Sequence, residues 1–283
     1  MNTVLYVNKP KGITSFDVCY KLRKVFNTKR IGHTGTLDPN ATGVMIVLID
    51  EASKGAQFLV SDKKEYIARV KFGIETDSLD ICGKVLKQCD YAFPSKQSII
   101  NVLNGFVGTS KQIVPMTSAK RIDGKKLYEY QRDNIEVELP TIDINVYDIT
   151  LLNIYDDGFG FRVSVSSGTY IRSLVRDICA KLGIIGTTLE LIRTKVDNVS
   201  LSDCDDLDAI INGDYHAHEL YDVLKDRYKT YETDDENYIK NGRRLKIDSL
   251  EDKLIITHND HLLAMYAKDG NEYKCVRGLW WKR

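Results

Sequence analysis

The sequence predicts an α+β fold with a mixed, mainly antiparallel central sheet flanked by helices, and a small all-β appendage at its carboxy-terminal end. Three observations carry this expectation. Strand-like and helix-like segments are mixed without strict βαβ alternation, and an Asp156-Asp157-Gly158 turn joins two β-rich runs. Composition then changes near Asp235, beyond which short β segments are broken by Asn-Gly, Asn-Asp and Asp-Gly-Asn turns. A chain of 283 residues can bury a sizeable core, and two domains are expected, residues 1–232 and residues 233–283.

The elements follow in order. Residues 3–8, TVLYVN, read as a short strand. Thr14 and Asp17 have the spacing of a capping box, and Val18, Leu22, Val25 and Phe26 recur behind them at helical intervals. A polar, glycine-punctuated turn leads into Val44–Ile49, a continuous apolar run suited to a covered central strand. Glu65–Phe72 alternates as a strand, Gln97–Phe106 reads as a helix, and Ile142–Ile154 and Phe159–Val165 flank the Asp-Asp-Gly turn. Ser167–Leu182 reads as a helix with Ile171, Leu174, Val175 and Ile178 on one face, and Leu189–Ile192 as a strand. In the appendage the expected β segments are Tyr238–Ile247, Lys253–His258, Leu262–Ala267 and Tyr273–Arg277.

Composition narrows the function classes. The amino terminus meets Lys9 and Pro10 before any apolar run reaches signal length, and no segment approaches the roughly twenty apolar residues that span a bilayer, so a cytoplasmic protein without membrane contact is expected. Cys19, Cys82, Cys89, Cys179, Cys204 and Cys275 form no C-x-x-C pair, and His216 and His218 lie among acids without cysteine partners; no metal and no disulfide framework are expected. The formal net charge is zero, yet the first sixty or so residues are basic and residues 203–236 strongly acidic. One face of such a chain can meet a polyanion while its acidic segment points elsewhere.

Residues 28–47, TKRIGHTGTLDPNATGVMIV, are the most informative stretch. Gly32, Gly35 and Gly43 permit backbone angles and close approaches that other residues resist, and Pro39 fixes φ directly after Asp38. The carboxylate is thereby held in a defined turn. Taken alone, an Asp-Pro turn in which the acid only bonds nearby amides is the commoner reading. The length of the pattern changes that: G-T-L-D-P-x-A-T-G preceded by I-G-H-T resembles the catalytic signature of the TruB-type tRNA pseudouridine-55 synthases. Similar motifs follow at D-K-K-E-Y-I-A (62–68), S-S-G-T-Y-I-R (166–172) and L-E-L-I-R (189–193), with N-K-P-K-G-I-T-S (8–15) near the start. The resemblance spans about residues 4–195.

The resemblance implies a pseudouridine-synthase fold that isomerises one uridine in the T loop (TΨC arm) of tRNA, with no cofactor. It makes Asp38 the essential carboxylate, with attack at the sugar C1′ or at the uracil ring both open, and Arg172 the arginine that pairs with it. Tyr66 becomes the stacking platform for an extruded base, Tyr170 and Leu191 line the uracil pocket, and His33 fills the space the flipped nucleotide leaves. The lysine of D-K-x-Y falls on Lys63 or Lys64. Lys9, Lys64 and Arg243 are candidate RNA contacts, and the end of the chain resembles a short, β-barrel-like PUA module, an RNA-binding domain. The partner is then the T arm of tRNA, and a monomer is expected. Three positions depart from the family pattern: Asn40 for a leucine, Val114 for a proline and Thr117 for a tyrosine. Alternatives are a synthase of the ribosomal or guide-RNA branch, an RNA chaperone without catalysis, and a glycosidase-type hydrolase, which would need a second facing carboxylate.

Overall fold

The computed structural model describes residues 2–280. The chain forms two compact units. One contains the residues up to Pro39, Val44–Val60 and those from Ser202 onward; the other contains Asn40–Gly43 and Ser61–Leu201.

The first unit begins with strand β1 (Asn2–Lys9), helix α1 (Ser15–Val25), strand β2 (Ile31–His33) and strand β3 (Thr42–Asp50). The capping box is present: Thr14 Oγ1 accepts from the Asp17 amide at 3.0 Å, and the Thr14 amide donates to the Asp17 carboxylate at 2.8 Å. Val18, Cys19 and Leu22 pack the inner side of α1 against Leu5, Val7, Met45, Val47 and Ile49. Residues 43–49 of β3 are all buried, the pattern of a strand covered on both faces. β3 lies between β1 and β2.

The second unit is a sheet with helices packed on it. Its strands are β4 (Lys63–Phe72), β5 (Gly108–Ile113), β6 (Thr141–Tyr155), β7 (Gly158–Ser166) and β8 (Gly186–Val196). They run in the order β8-β4-β7-β6-β5 with every neighbour antiparallel. Thr42 and Gly43 add a parallel pairing to Ile192 and Arg193 at the β8 edge, which makes the sheet mixed. Helices α2 (Lys96–Asn104) and α4 (Ile171–Lys181) pack against this sheet, and α3 (Leu127–Arg132) lies in the long connection between β5 and β6. The expected apolar face of α4 is buried in full: Ile171, Leu174, Val175 and Ile178. Its start is not where the sequence places it. The capping-type residues of Ser166–Thr169 form a turn in which Gly168 takes φ +86°, and the N-cap is Tyr170.

From Ser202 the chain returns to the first unit. Strand β9 (Asp205–Asp206) pairs with β1 in parallel and β10 (His218–Glu219) antiparallel, while Leu207 and Ile210 of α5 (Leu207–Ile211) join the core under α1. Helix α6 (Leu220–Lys225) follows. Strand β11 (Lys229–Glu232), helix α7 (Glu236–Lys240) and strands β12 (Lys253–His258), β13 (His261–Asp269) and β14 (Glu272–Gly278) end the described chain. The four strands form an open sheet in the order β11-β12-β13-β14. Its core is Ile239, Leu254, Ile256, Leu263, Ala264, Tyr266 and Tyr273, and burial pushes the Tyr266 phenol up to about 12.

One expected β segment is absent. Tyr238–Ile247 contains a helix instead, because the Asp235 carboxylate caps it by accepting from the Tyr238 amide at 2.9 Å and Asn241-Gly242 stops it, with Gly242 at φ +67°. Only Leu245 pairs in β fashion, with Tyr273. Lys282 and Arg283, two of the basic residues at the end of the appendage, lie outside the described residues. Among the described residues no helix is long and apolar enough to cross a membrane.

Gly43 is the tightest point at the β8 edge. Its φ is +105°, and a Cβ there would stand 2.2 Å from the Arg193 carbonyl oxygen. Backbone oxygen cannot yield as a side-chain tip can, so Gly43→Ala is expected to destabilise the protein by roughly 3 kcal/mol. A urea titration giving a midpoint equal to the parent's would contradict this assignment.

Candidate active site

Asp38 sits half-buried at the end of a loop in the first unit, with both neighbours tied down. Ser15, at the start of α1, binds Leu37 twice: its Oγ donates to the Leu37 carbonyl at 3.1 Å and accepts from the Leu37 amide at 2.9 Å. The Pro39 carbonyl accepts from the Gly12 amide at 2.9 Å and from Lys9 Nζ at 3.1 Å. The residues before and after the carboxylate are thus clamped by four hydrogen bonds from residues 9–15. The N-K-P-K-G-I-T-S motif is the frame of the G-T-L-D-P loop.

Lys9 is therefore placed differently from a phosphate contact. It is fully buried, and its ammonium also donates to the Pro10 carbonyl at 2.8 Å and the Ile13 carbonyl at 2.7 Å. A buried ammonium persists only where acceptors replace its hydration, and three carbonyls do so here. Its role is to position the loop. His33 ends β2, half-buried, with its backbone opposite Val47 of β3.

In the second unit the sheet aligns further candidates on one face. Tyr66 and Ala68 on β4 stand opposite Arg193 and Leu191 on β8, and alternation puts all four on the same side. Tyr66 and Leu191 are buried except for small exposed portions, and Arg193 is 1% exposed. Lys64, two residues before Tyr66, shares this face; its Nζ donates to Ser167 Oγ at 3.3 Å. Burial, followed by the nearby Arg193 charge, holds the Lys64 ammonium below the usual lysine range, while Asp197 and Asp62 pull the other way. Lys63 instead points its ammonium over the Tyr147 ring at 5.4 Å. Of the two lysines of D-K-K-E-Y, Lys64 keeps company with Tyr66. Arg193 went unremarked in the sequence; its signal was a position two residues after Leu191 in an alternating strand.

Tyr170 and Arg172 are fixed where the chain enters α4. The buried Gln112 side chain pairs with Tyr170 as a strand would, donating to its carbonyl at 3.1 Å and accepting from its amide at 2.8 Å. Ser173 Oγ donates to the Ile113 carbonyl at 2.9 Å. Arg172 is 4% exposed, which rules out a solvent-facing side chain. Its guanidinium donates to the carbonyls of Ser78 at 2.6 Å and Thr117 at 2.9 Å. An arginine in the first turn opposes the helix macrodipole, so these acceptors hold a cation where the helix alone disfavours one.

The three departures from the family pattern have local partners. The Val114 amide donates to the Pro140 carbonyl at 3.0 Å, a bond proline could not make. Thr117 Oγ1 donates to Gln131 at 2.6 Å, and Asn40 Nδ2 donates to Asp80 at 3.2 Å. Arg243, after α7, is exposed; its carbonyl accepts from the Tyr266 hydroxyl at 2.8 Å.

A model of the TruB family pseudouridylate synthases, N-terminal domain, matches residues 23–171. A protein of Clostridium tetani named tRNA pseudouridine synthase B is 40% identical over 272 residues, covering 95% of this chain and 93% of that protein. The protein of the same name from Fusobacterium nucleatum is 46% identical over 201 residues, 71% of this chain and 70% of its own. Among solved structures, a chain of a Cbf5–Nop10–Gar1 complex superposes with a TM-score of 0.74 over 99% of this chain and 85% of its own, at 20% identity; that likeness concerns the fold.

Replacing Lys9 tests the frame of the Asp38 loop. Lys9→Met keeps the stem but removes the ammonium from the Pro10 and Ile13 carbonyls and leaves Pro39 with the Gly12 amide alone, and a loss of about 3 kcal/mol is expected. Equilibrium unfolding in guanidinium reads this directly, and a variant as stable as the parent would show the ammonium to be dispensable.

Proposed function

The chain belongs to the TruB family of pseudouridylate synthases, and we propose that it isomerises uridine 55 in the T loop of tRNA to pseudouridine. The observation that carries this reading is the framing of Asp38: a half-buried carboxylate whose two neighbours are clamped by residues 9–15. Such a carboxylate reaches a reacting atom without first ordering its own loop. Identity favours tRNA over a guided substrate. The relatives named for tRNA share 40% and 46% of aligned residues, against 20% for the Cbf5 chain.

In this reading Asp38 attacks the uridine, at C1′ or on the ring, and the base is detached, turned and rejoined through carbon. The target uridine is extruded, because an atom inside a folded loop cannot be reached. Tyr66 supplies the stacking surface, Leu191 and Tyr170 line the uracil pocket, and His33 occupies the space the nucleotide vacates. Arg172 serves as the cation that pairs with and orients the catalytic carboxylate, and its rigid seat on two carbonyls suits that role. Lys64 meets the RNA backbone. Residues 233–283 act as a PUA-like RNA contact, with exposed Arg243 among its cations. The reaction needs no cofactor, and the working form is a cytoplasmic monomer.

The test is incubation with an unmodified tRNA transcript, without metal or nucleotide, and mapping of pseudouridine by carbodiimide-dependent reverse-transcription stops. A stop at position 55 is expected, and its absence would remove the proposal. Asp38→Asn should abolish turnover while tRNA binding stays near that of the parent, because phosphate and base contacts dominate affinity. Measurable turnover by the pure variant would unseat Asp38. For Tyr66, alanine should cripple single-turnover isomerisation by removing the platform, whereas phenylalanine keeps the stack and isolates the hydroxyl. Parent-like rates for both would make Tyr66 a core residue only.

A further inference from the structure

Helix α1 turns two aromatic rings outward. Phe16 is 62% exposed and Tyr20 51% exposed, one helical turn apart on the same side. Each carries a cation: the Arg23 guanidinium lies 5.4 Å from the Phe16 ring centroid, and Lys24 Nζ 5.0 Å from that of Tyr20. Exposed Lys21 adds a third positive charge, and exposed Lys11 stands just ahead of the helix. The one acid on α1, Asp17, is held by the Thr14 amide at 2.8 Å and hydroxyl at 2.7 Å and offsets part of the Lys21 charge, which leaves the face net positive. Phe16 directly follows Ser15, whose hydroxyl holds both backbone groups of Leu37 beside Asp38. The aromatic and basic stripe therefore starts at the edge of the Asp38 loop, within one unit.

We propose that this face of α1, Phe16 and Tyr20 with Lys21, Arg23 and Lys24, is a stacking platform for unpaired nucleotides of the substrate RNA next to the reacting uridine. The inference rests on the function proposed above. Charge complementarity selects the occupant. Interleaved cations match phosphates, and exposed ring faces match unpaired bases, which every nucleotide can offer and a closed duplex cannot.

The test measures binding of a labelled, unmodified tRNA transcript by fluorescence anisotropy across a salt series. Three double variants of the full chain are compared: Phe16→Ala with Tyr20→Ala, Phe16→Trp with Tyr20→Trp, and Lys21→Gln with Lys24→Gln. The alanine pair should weaken binding about tenfold or more, and the tryptophan pair should restore it. The glutamine pair should flatten the slope of log affinity against log salt by about two. Because both rings are exposed, thermal melts should match the parent and exclude misfolding as the cause. An alanine pair that binds as the parent does at every salt concentration overturns the proposal, whether the patch is idle or meets a protein. A parent that binds the transcript without modifying it removes the functional reading and leaves this comparison decisive; a parent that does not bind removes both.

Discussion

The Lys9 ammonium and its three carbonyls are the interaction on which the rest of the Asp38 loop depends. Lysine is rarely fully buried, because dehydrating its charge costs several kcal/mol unless acceptors replace the water. Here the acceptors come from Pro10, Ile13 and Pro39, so one cation at the end of β1 gathers the approach to α1 and the residue after Asp38 around a single point. Pro10 has no N–H to offer, and the Gly12 amide, with Gly12 at φ +89°, supplies the second donor to Pro39. The Ser15 hydroxyl then fixes Leu37 from the other side. The residues on both sides of the carboxylate are thereby held.

What was legible in the sequence were the features that periodicity and local chemistry set. The inner face of α1 with its capping box, the covered strand β3 and the buried face of α4 follow from spacing alone. The start of α4 was not legible, because Ser166-Ser167-Gly168-Thr169 carries residues that cap helices and residues that turn chains in equal measure. Asn241-Gly242 is ambiguous in the same way: the pair closes hairpins and also stops helices, and the Asp235 cap decides for a helix. Lys9 reads as a candidate RNA contact in the sequence, and Arg193 is given no role there. A charged side chain reads as surface until its tertiary acceptors are known, and the Pro39 carbonyl that accepts from Lys9 lies 30 residues along the chain, where no local pattern reports it.

The departures at Asn40, Val114 and Thr117 carry a related lesson. Each replaces a residue that packs or stiffens with one that makes a directional bond: Asn40 to Asp80, the Val114 amide to Pro140, and Thr117 to Gln131. Thr117 also offers its carbonyl to Arg172, a contact that does not depend on which side chain occupies the position. Backbone acceptors tolerate substitution at their own residue. The seat of Arg172, built from the carbonyls of Ser78 and Thr117, can therefore persist while the surrounding side chains change.

Electrostatics explains how a chain of zero net charge can still present cationic ground. Lys64 and Arg193 share the face that bears Tyr66, close enough that Arg193 helps to lower the lysine's affinity for its proton. Like charges held together and partly dehydrated raise each other's free energy, with Asp197 and Asp62 offsetting part of the cost. A phosphate arriving at this face would relieve that strain, since the opposite charge stabilises the ammonium and restores the proton affinity that burial removes. The same linkage works in reverse, so anion binding there must weaken as pH rises through the depressed lysine value. The sheet that aligns Tyr66 and Leu191 thus also carries the charge that would hold a polyanion against them.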